Sequence, residues 1–485
     1  NWTYKNNTAS TFTAMPLPLS PSPTILIPHL PAKTLVGIDL VTFTSTPNFH
    51  GIRDLPNGWH FLYTGTTESL SLRSGGWFYV GDISVFDESH NGTIVTASSR
   101  SLGSDIFVWK WNSETESLEL LRASSDADRQ EAMRHKANLG AVWQRGGLFR
   151  YRSRVSSSRT SQSQSQSQEH QSPVQEDIDE EDEEEGRKDW TDLTNNISPR
   201  LLSRIVGDPE LDVDGRPRWM VTSGSTAERD SDKIPGLPDI NSENLAKVTG
   251  EQETAFSFLP VDLKRTWREG AIGRERTEAA QDRSWALGDL IQRHSSGGDR
   301  GEQTGEAQIL GELQFTFLMV MTLMNYSCLQ QWKRLLELVL TCQNAIKDRE
   351  PFMVSVLRLL LLQLKRCDDV EGGLFDIDGV DGGEFLRKLL MKFRRTLYEV
   401  VDNPGPTLKA EFDKLATWVK DEYDWELDRE AFVRRGIIQL EDGEEVELEM
   451  EDDGDDETGE YAPLVVDLGE GNTTQDPDMA NVDTP

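Results

Sequence analysis

Two acidic runs constrain most strongly what this chain can fold into. Glu176–Glu185 holds nine acids in ten residues and Glu441–Glu460 holds thirteen in twenty, neither with a lysine or arginine. A run of that kind has no internal counter-charge, and burying unpaired carboxylates is prohibitive. Both runs must therefore lie outside any hydrophobic core, and they divide the 485 residues into separately patterned stretches. With the runs set aside, 62 acids face 50 bases, against a formal net charge of -34 for the whole chain. The remainder is ordinary and mildly acidic. A general nucleic-acid binder needs a net basic face to displace counterions, so that class is disfavoured. Hydrophobic residues make up 36%, below the usual ~45–50%, so part of the chain is expected to stay outside the core. At roughly 100–200 residues per domain, two or three domains are expected.

Residues 1–23, rich in Thr, Ser and Pro, read as a disordered extension, with Met15 as a natural start. Residues 24–152 read as a β-rich domain. Short β-branched and aromatic runs (Thr24–Ile27, Trp59–Thr64, Trp77–Val80, Ile83–Phe86, Thr93–Ala97, Ile106–Trp111) are separated by turn residues such as Pro56-Asn57-Gly58. Ile106–Trp111 alternates, with Phe107, Trp109 and Trp111 on one face, as an antiparallel sandwich strand would. Ser125–Leu139 reads as a helix. Residues 153–188, with four Ser-Gln repeats and then the first acid run, have no apolar period and read as a disordered linker. Residues 189–255 read as a connecting helix, Trp190–Val206 punctuated at Ser198-Pro199, followed by a loose stretch.

Residues 256–438 read as an all-helical domain. Leu329, Trp332, Leu335, Leu336, Val339 and Leu340 form one apolar stripe at helical spacing. Val354–Leu364 is apolar nearly all round, as a central helix would be. Leu386–Leu397 and Leu408–Tyr423 supply further helices, and no repeat period is evident. Residues 439–485 read as an acidic tail with a short apolar strand, Tyr461–Leu468. The longest apolar stretch, Phe315–Met324, is about half the ~20 residues of a membrane span. A soluble, cytoplasmic protein is expected, with access to the nucleus left open.

Chemistry-bearing motifs are sparse. The chain has no Gly-Lys pair for a P-loop, no H-E-x-x-H, no C-x-x-C and no G-x-S-x-G. Asp376-x-Asp378-Gly379-x-Asp381 fails as a calcium loop: its sixth position is Asp381 where glycine is needed, and its twelfth is Arg387 where glutamate is needed. Cys328, Cys342 and Cys367 are too scattered for a zinc site and read as buried small hydrophobes. No catalytic, cofactor or metal residue is assigned. Arg145, Phe149, Arg150, Tyr151, Arg152 and Arg154 read as the solvated end of a domain rather than an RNA contact. Lys388, Lys392 and Arg395 read as a solvated helix face. His60 reads as a packed or surface histidine.

Blocks of the sequence nevertheless carry a resemblance. Gly37-Ile38-Asp39, Asn48-Phe49-His50-Gly51-Ile52 and Leu55-Pro56-Asn57-Gly58-Trp59-His60-Phe61 resemble the opening signature of the Aar-two splicing-factor family. Trp190-Thr191-Asp192-Leu193-Thr194 is similar to its Trp-x-x-Leu-Thr helix. Gly311-Glu312-Leu313-Gln314-Phe315-x-Phe317 and Gln331-Trp332-Lys333-Arg334-Leu335-Leu336 resemble its main helical block. Ala462-Pro463-x-Val465-Val466 resembles its C-terminal element. The family's Pro-Pro-Gly turn is Pro56-Asn57-Gly58 here, and the Ser-Gln and acidic segment is an insertion.

The resemblance implies an α+β fold of two domains, a β-sandwich-like N-terminal domain packed on an all-α, VHS-like C-terminal domain. It implies a non-enzymatic assembly chaperone in pre-mRNA splicing. The implied partner is the large scaffold protein of the U5 snRNP, held through its RNase-H-like and Jab/MPN-like domains until release. The alternatives are an RNA-contacting splicing component or an enzyme with an unrecognised site. The tail residues Tyr461, Leu464, Val465, Val466 and Leu468 are the candidate partner-binding positions, as a strand needing a sheet edge. Ser172, before Pro173, is a candidate phosphorylation site. No cofactor, membrane, nucleic acid or small-molecule substrate is expected.

Overall fold

The pleat of one strand explains the layering. In β5 (Gly58–Gly65), Trp59, Phe61 and Tyr63 alternate with His60, Leu62 and Thr64, and all six are buried. A strand buried on both faces must be covered on both sides. The computed structural model describes residues 22–66, 72–87, 93–97, 105–153, 173–227, 230, 255–295, 301–367, 374, 383–428, 434–439 and 445–450.

The remaining strands of the N-terminal part are β1 (Thr24–Leu26), β2 (Leu35–Ile38), β3 (Val41–Thr44), β4 (Gly51–Arg53), β6 (Arg73–Val80), β7 (Ile83–Asp87), β8 (Thr93–Ala97), β9 (Ile106–Asn112), β10 (Ser117–Leu120) and β11 (Leu148–Arg150). Helices α1 (Asp126–Ala137) and α2 (Leu139–Gln144) lie between β10 and β11. Ser125 caps α1 by accepting from the Asp128 amide at 3.2 Å. Two further strands, β12 (Glu210–Leu211) and β13 (Pro217–Thr222), come from beyond residue 152.

Two sheets face each other. One runs β10-β9-β1-β4-β11 and the other β12-β13-β6-β5-β2-β3, while β7 and β8 form a separate hairpin. The six-stranded sheet is antiparallel throughout. The five-stranded sheet is mixed, because β1 runs parallel to β9 and β4 parallel to β11. Parallel neighbours need a long crossover, and the chain that builds the other sheet supplies it. Ile25, Val36, Leu62, Phe78, Phe107 and Trp109 fill the space between the sheets. Leu26, Ile106 and Val108 turn to the outer face, against Ala132 and Leu139 of the two helices.

The other face of the six-stranded sheet is covered by helices. The described helices of this part are α3 (Pro173–Thr194), α4 (Pro199–Val206), α5 (Arg274–Gln281), α6 (Ser284–Arg293), α7 (Gly301–Leu323), α8 (Tyr326–Leu340), α9 (Ala345–Asp348), α10 (Glu350–Arg366), α11 (Glu384–Arg395), a π-turn at Thr396–Val400, and α12 (Pro406–Tyr423), of which α3, α4 and α7 meet the sheet directly. Trp59, Phe61, Trp77 and Trp219 belong to the same buried cluster as Trp190, Leu201, Phe315, Leu336 and Leu390. The β part and the helical part thus share one core. Among the described residues no helix is long and apolar enough to cross a membrane.

The structure departs from the sequence reading in three places. The acid run Glu176–Glu185 lies within helix α3 rather than in an extended linker. Glutamate is a good helix former, proline suits the first helical position, and acids are favoured near a helix N-terminus. None of these needs an apolar period, and Trp190 and Leu193 anchor the helix at its far end. Second, β13 lies in the stretch read as loose, yet it pairs with β6, Trp219 opposite Trp77. The sheet therefore crosses the boundary expected at residue 152. Third, residues Asp428–Pro485 form a separate unit, which contains an antiparallel hairpin of β14 (Arg434–Gln439) and β15 (Glu445–Met450). Glu445-Val446-Glu447-Leu448-Glu449-Met450 has the period-two alternation of a strand, which the count of acids concealed.

Candidate functional site

The N-terminal and helical blocks that stand out in the sequence converge on seams inside the molecule, while the block at 462–466 lies outside the described residues. The first is at the end of β2. Asp39 sits at positive φ (57°), and its carboxylate accepts from the Phe61 amide at 3.0 Å and from the Tyr151 hydroxyl at 2.6 Å. His60 Nδ1 lies 2.8 Å from Asp39 Oδ2, and its Nε2 lies 2.8 Å from the Pro56 carbonyl. Both ring nitrogens face oxygens that only accept, so both must donate, and the imidazolium is the form that satisfies the site. Burial opposes that charge. The Asp39 charge, its hydrogen bond and the Pro56 carbonyl outweigh burial and raise the His60 pKa above its ordinary value. Burial and the neighbouring Asp39 also push the Tyr151 hydroxyl well up.

An Asp-His-Tyr cluster invites a catalytic reading, but His60, Asp39 and Tyr151 are each at most 2% exposed. Their polar atoms are spent on one another and on the backbone. The cluster ties β2, β5 and the end of β11 together. Gly37, in the same block, lies under the ring of Tyr63, and a Cβ there would fall 2.0 Å from the ring. Glycine is required by that close approach.

The second seam joins the sheet to the helices. Trp190 donates its indole N–H to the Trp59 carbonyl at 2.7 Å, which explains a tryptophan at the head of its block. Asp189 pairs with Arg366 at 2.5 Å. Gly311 lets α7 approach the α3–α4 turn, since a Cβ would lie 2.6 Å from the Asn196 carbonyl. Gln314 closes that turn, accepting from the Asn196 amide and donating to the Asp192 carbonyl, each at 2.9 Å.

Glu312 is fully buried and is the hub of this seam. It accepts from Arg204 at 2.7 Å, from Gln331 at 2.8 Å and from the Leu259 amide at 3.0 Å. A buried carboxylate persists only with such pairing. Trp332 donates to Gln363 at 3.0 Å, and Gln363 donates to the Leu313 carbonyl at 3.0 Å. Asn325 caps α8 and donates to the carbonyls of Thr222, Ser223 and Ser225. Asp230 accepts from Ser327 at 2.8 Å and pairs with Arg334. Most polar residues of the two helical blocks thus have an internal structural task.

Cys328, Cys342 and Cys367 are buried thiols. Burial first, then nearby carboxylates, push the Cys328 and Cys342 thiols up, opposite to an activated nucleophile. Among the described residues no group of three His, Cys, Asp or Glu side chains could hold a metal ion. Lys388, Lys392 and Arg395 are exposed on α11, with Glu384 and Glu399 beside Lys388 and Arg395.

The basic-aromatic stretch needs correction. Tyr151 is core and Phe149 is half-buried, so Arg145, Arg150 and Arg152 face out, while Arg154 lies outside the described residues. Tyr461, Leu464, Val465, Val466, Leu468 and Ser172 also lie outside the described residues. The Asp39–His60–Tyr151 cluster was missed in the sequence. The spacing of its members, 21 and 112 residues from Asp39, gives no local signal.

Two family models match along the chain. The AAR2 N-terminal domain matches residues 21–207, and the AAR2 C-terminal repeat region matches residues 258–428. Neither description names a catalytic activity. The chain is 23% identical over 416 residues to "Protein AAR2 homolog" of Mus musculus, covering 84% of this chain and 90% of that protein. It is 22% identical over 412 residues to the Homo sapiens protein of that name, covering 83% and 89%. The Caenorhabditis elegans protein is 21% identical over 413 residues, covering 83% and 94%. The first match ends within the polar seams and the second spans the helices that complete them, so the chain belongs to the AAR2 family.

Proposed function

We propose that this chain is a non-catalytic assembly chaperone of pre-mRNA splicing. It binds the large U5 snRNP scaffold protein through that protein's RNase-H-like and Jab/MPN-like domains, and it blocks later partners until it is released. Membership of the AAR2 family supports a splicing-related role. The observation that carries the non-catalytic part is the use made of the signature residues. His60, Trp190, Glu312, Gln331 and Trp332 are buried, with polar atoms hydrogen-bonded inside the fold. That arrangement makes one rigid platform of sheet and helices, and it leaves recognition to surfaces and to the tail.

In this reading Tyr461, Leu464, Val465, Val466 and Leu468 add as a strand to an exposed sheet edge of the scaffold. Ser172 is a phosphorylation site whose added charge, about -1.5 to -2, tunes release. The protein acts in the cytoplasm, before the mature particle is used. The test is an affinity pulldown from a same-species extract, with mass spectrometry of the retained proteins. The expected result is recovery of the large scaffold without the mature helicase, weakened by truncation after Leu440 and by Val466→Pro. Salt-sensitive RNA as the main retained species, or no scaffold at all, would overturn the reading.

A further inference from the structure

One hydroxyl lies under the acid-rich half of α3. Ser153, half-buried where the chain leaves β11, donates to the Glu183 carbonyl at 2.6 Å. Gly186, buried and three residues further along α3, makes that approach possible. A Cβ there would lie 2.7 Å from Ser153 Oγ and 3.1 Å from the Ser153 carbonyl oxygen. The helix backbone therefore rests directly on the serine, in a contact that would not admit a methyl group.

The charge around this contact is one-sided. Five consecutive acids, Glu181 to Glu185, precede Gly186. Arg152 approaches Glu183 to 3.9 Å and Arg187 to 3.4 Å, and both arginines are exposed. Exposed pairs at such separations stabilise little. The far end of α3 is anchored in the core instead, where Trp190 donates to the Trp59 carbonyl at 2.7 Å and Asp189 pairs with Arg366 at 2.5 Å. Ser153 also closes the sequence Arg150-Tyr151-Arg152-Ser153, with exposed arginines three and one residues before it. That spacing presents two guanidiniums to the carboxylates with which a basophilic serine kinase holds its substrate.

We propose that Ser153 is a phosphorylation site and that its modification lifts the acid-rich half of α3 from the end of β11. In the transfer, Ser153 Oγ attacks the γ-phosphorus of a nucleoside triphosphate. An O–P bond forms, the bond from that phosphorus to the bridging oxygen breaks, the hydroxyl proton passes to the kinase's base, and the nucleoside diphosphate leaves. The modified serine has lost its donor. It sets a charge of about -1.5 to -2 against a carbonyl oxygen and a run of carboxylates, which repel it. The Gly186 contact leaves no space for the phosphate. The kinase meets the hydroxyl when this half of α3 opens locally, and the phosphate then holds the opened state. The anchor at Trp190 confines the opening to the residues before it. The switch is separate from Ser172 and does not depend on the scaffold reading.

The test uses the full chain with phosphoserine placed at position 153 by codon suppression. Backbone amides 183–187 should exchange with deuterium at least about tenfold faster than in the parent, while amides 191–194 keep their rate. Ser153→Ala removes the hydrogen bond without adding charge and should accelerate amides 183–187 by less than about threefold. Incubating the parent with the catalytic subunit of cyclic-AMP-dependent protein kinase and magnesium ATP should place phosphate on Ser153, read by tandem mass spectrometry. Arg150→Gln with Arg152→Gln should abolish that modification. Unchanged or slower exchange in the phosphoserine chain, as when Arg152 and Arg187 clamp the phosphate, would overturn the proposal. So would equal acceleration in Ser153→Ala, acceleration that reaches 191–194, or a parent Ser153 that the kinase leaves unmodified.

Discussion

The two ends of the β-sandwich handle charge in opposite ways. At the β10–β12 end, charge is consumed internally. Arg218 is 1% exposed and lies over the rings of Phe78, Phe107 and Trp109. Asp212 meets it at 2.5 Å and also accepts from the amides of Asp214 and Arg216. Arg122 bridges to Asp212 through the backbone and pairs with Glu210, and Arg216 pairs with Asp105 at 3.2 Å. At the β3–β11 end, Arg150 and Arg152 stay at the rim of an apolar groove. The polar anchor there lies beneath the floor, where Asp39 holds His60 and Tyr151. The difference is between charges that the fold buries in pairs and charges that stay exposed at its rim, Arg152 met only by Glu183 at 3.9 Å.

The largest expected effect breaks the closed end. Asp212→Ala leaves Arg218 buried without its counter-charge and should cost about 3–5 kcal/mol. Denaturant titration of the variant against the parent measures this. Adding Arg218→Met should recover much of the loss, because an apolar replacement removes the stranded charge. A double variant as unstable as the single one would show that the cation–ring contacts carry the site.

The next effect concerns the anchor at the β3–β11 end. Tyr151→Phe removes one hydrogen bond to a carboxylate and should cost about 1.5–3 kcal/mol. pH sharpens the point through His60, whose pKa is raised in the folded protein. Its contribution is complete below the ordinary histidine value near 6.5 and is lost as pH rises through the raised value. Unfolding free energy should therefore fall with rising pH above about 6.5, with a slope no steeper than about 1.4 kcal/mol per unit for one proton. That component should vanish in His60→Gln. An identical pH profile in the two proteins would refute the imidazolium assignment.

Smaller effects are expected outside both anchors. Deleting residues 154–172 should change stability by less than about 1 kcal/mol, since loop-closure cost rises only about 0.6 kcal/mol per doubling of length. Extending the deletion to Lys188 should cost more. It removes Glu183, whose carbonyl accepts from Ser153 at 2.6 Å, and buried Gly186 of α3. Paired melting curves of the two deletions distinguish them. The smallest effect is Arg150→Glu with Arg152→Glu, within about 0.5 kcal/mol of the parent. A larger loss would mean that the β3–β11 end, too, spends its charge on the fold.

Much of the fold was legible where burial imposes a period. Phe107 and Trp109 alternate into the core between the sheets. The stripe from Leu329 to Leu340 in α8 is buried throughout. Ser198 caps α4 at the expected break, with Pro199 following. Elements whose stability has another origin were not legible. The acidic part of α3 follows helix propensity rather than an apolar face, β13 is one short strand in a polar stretch, and β15 hides its alternation inside an acid run.

The sequence by itself determined which stretches must be buried, that acids such as Glu181, Glu184 and Glu185 stay outside the core, and which blocks carry the family resemblance. Those are local properties, written in composition and spacing. Tertiary structure alone decided what the block residues do. Glu312 meets Arg204 across 108 positions, Tyr151 reaches Asp39 across 112, and Trp190 reaches Trp59 across 131. A buried polar group must find a partner wherever the fold brings one, and sequence spacing does not encode that distance. The groove lined by Phe43 and Phe149 has the same origin, because only the order of strands brings β3 and β11 to one end of the sandwich.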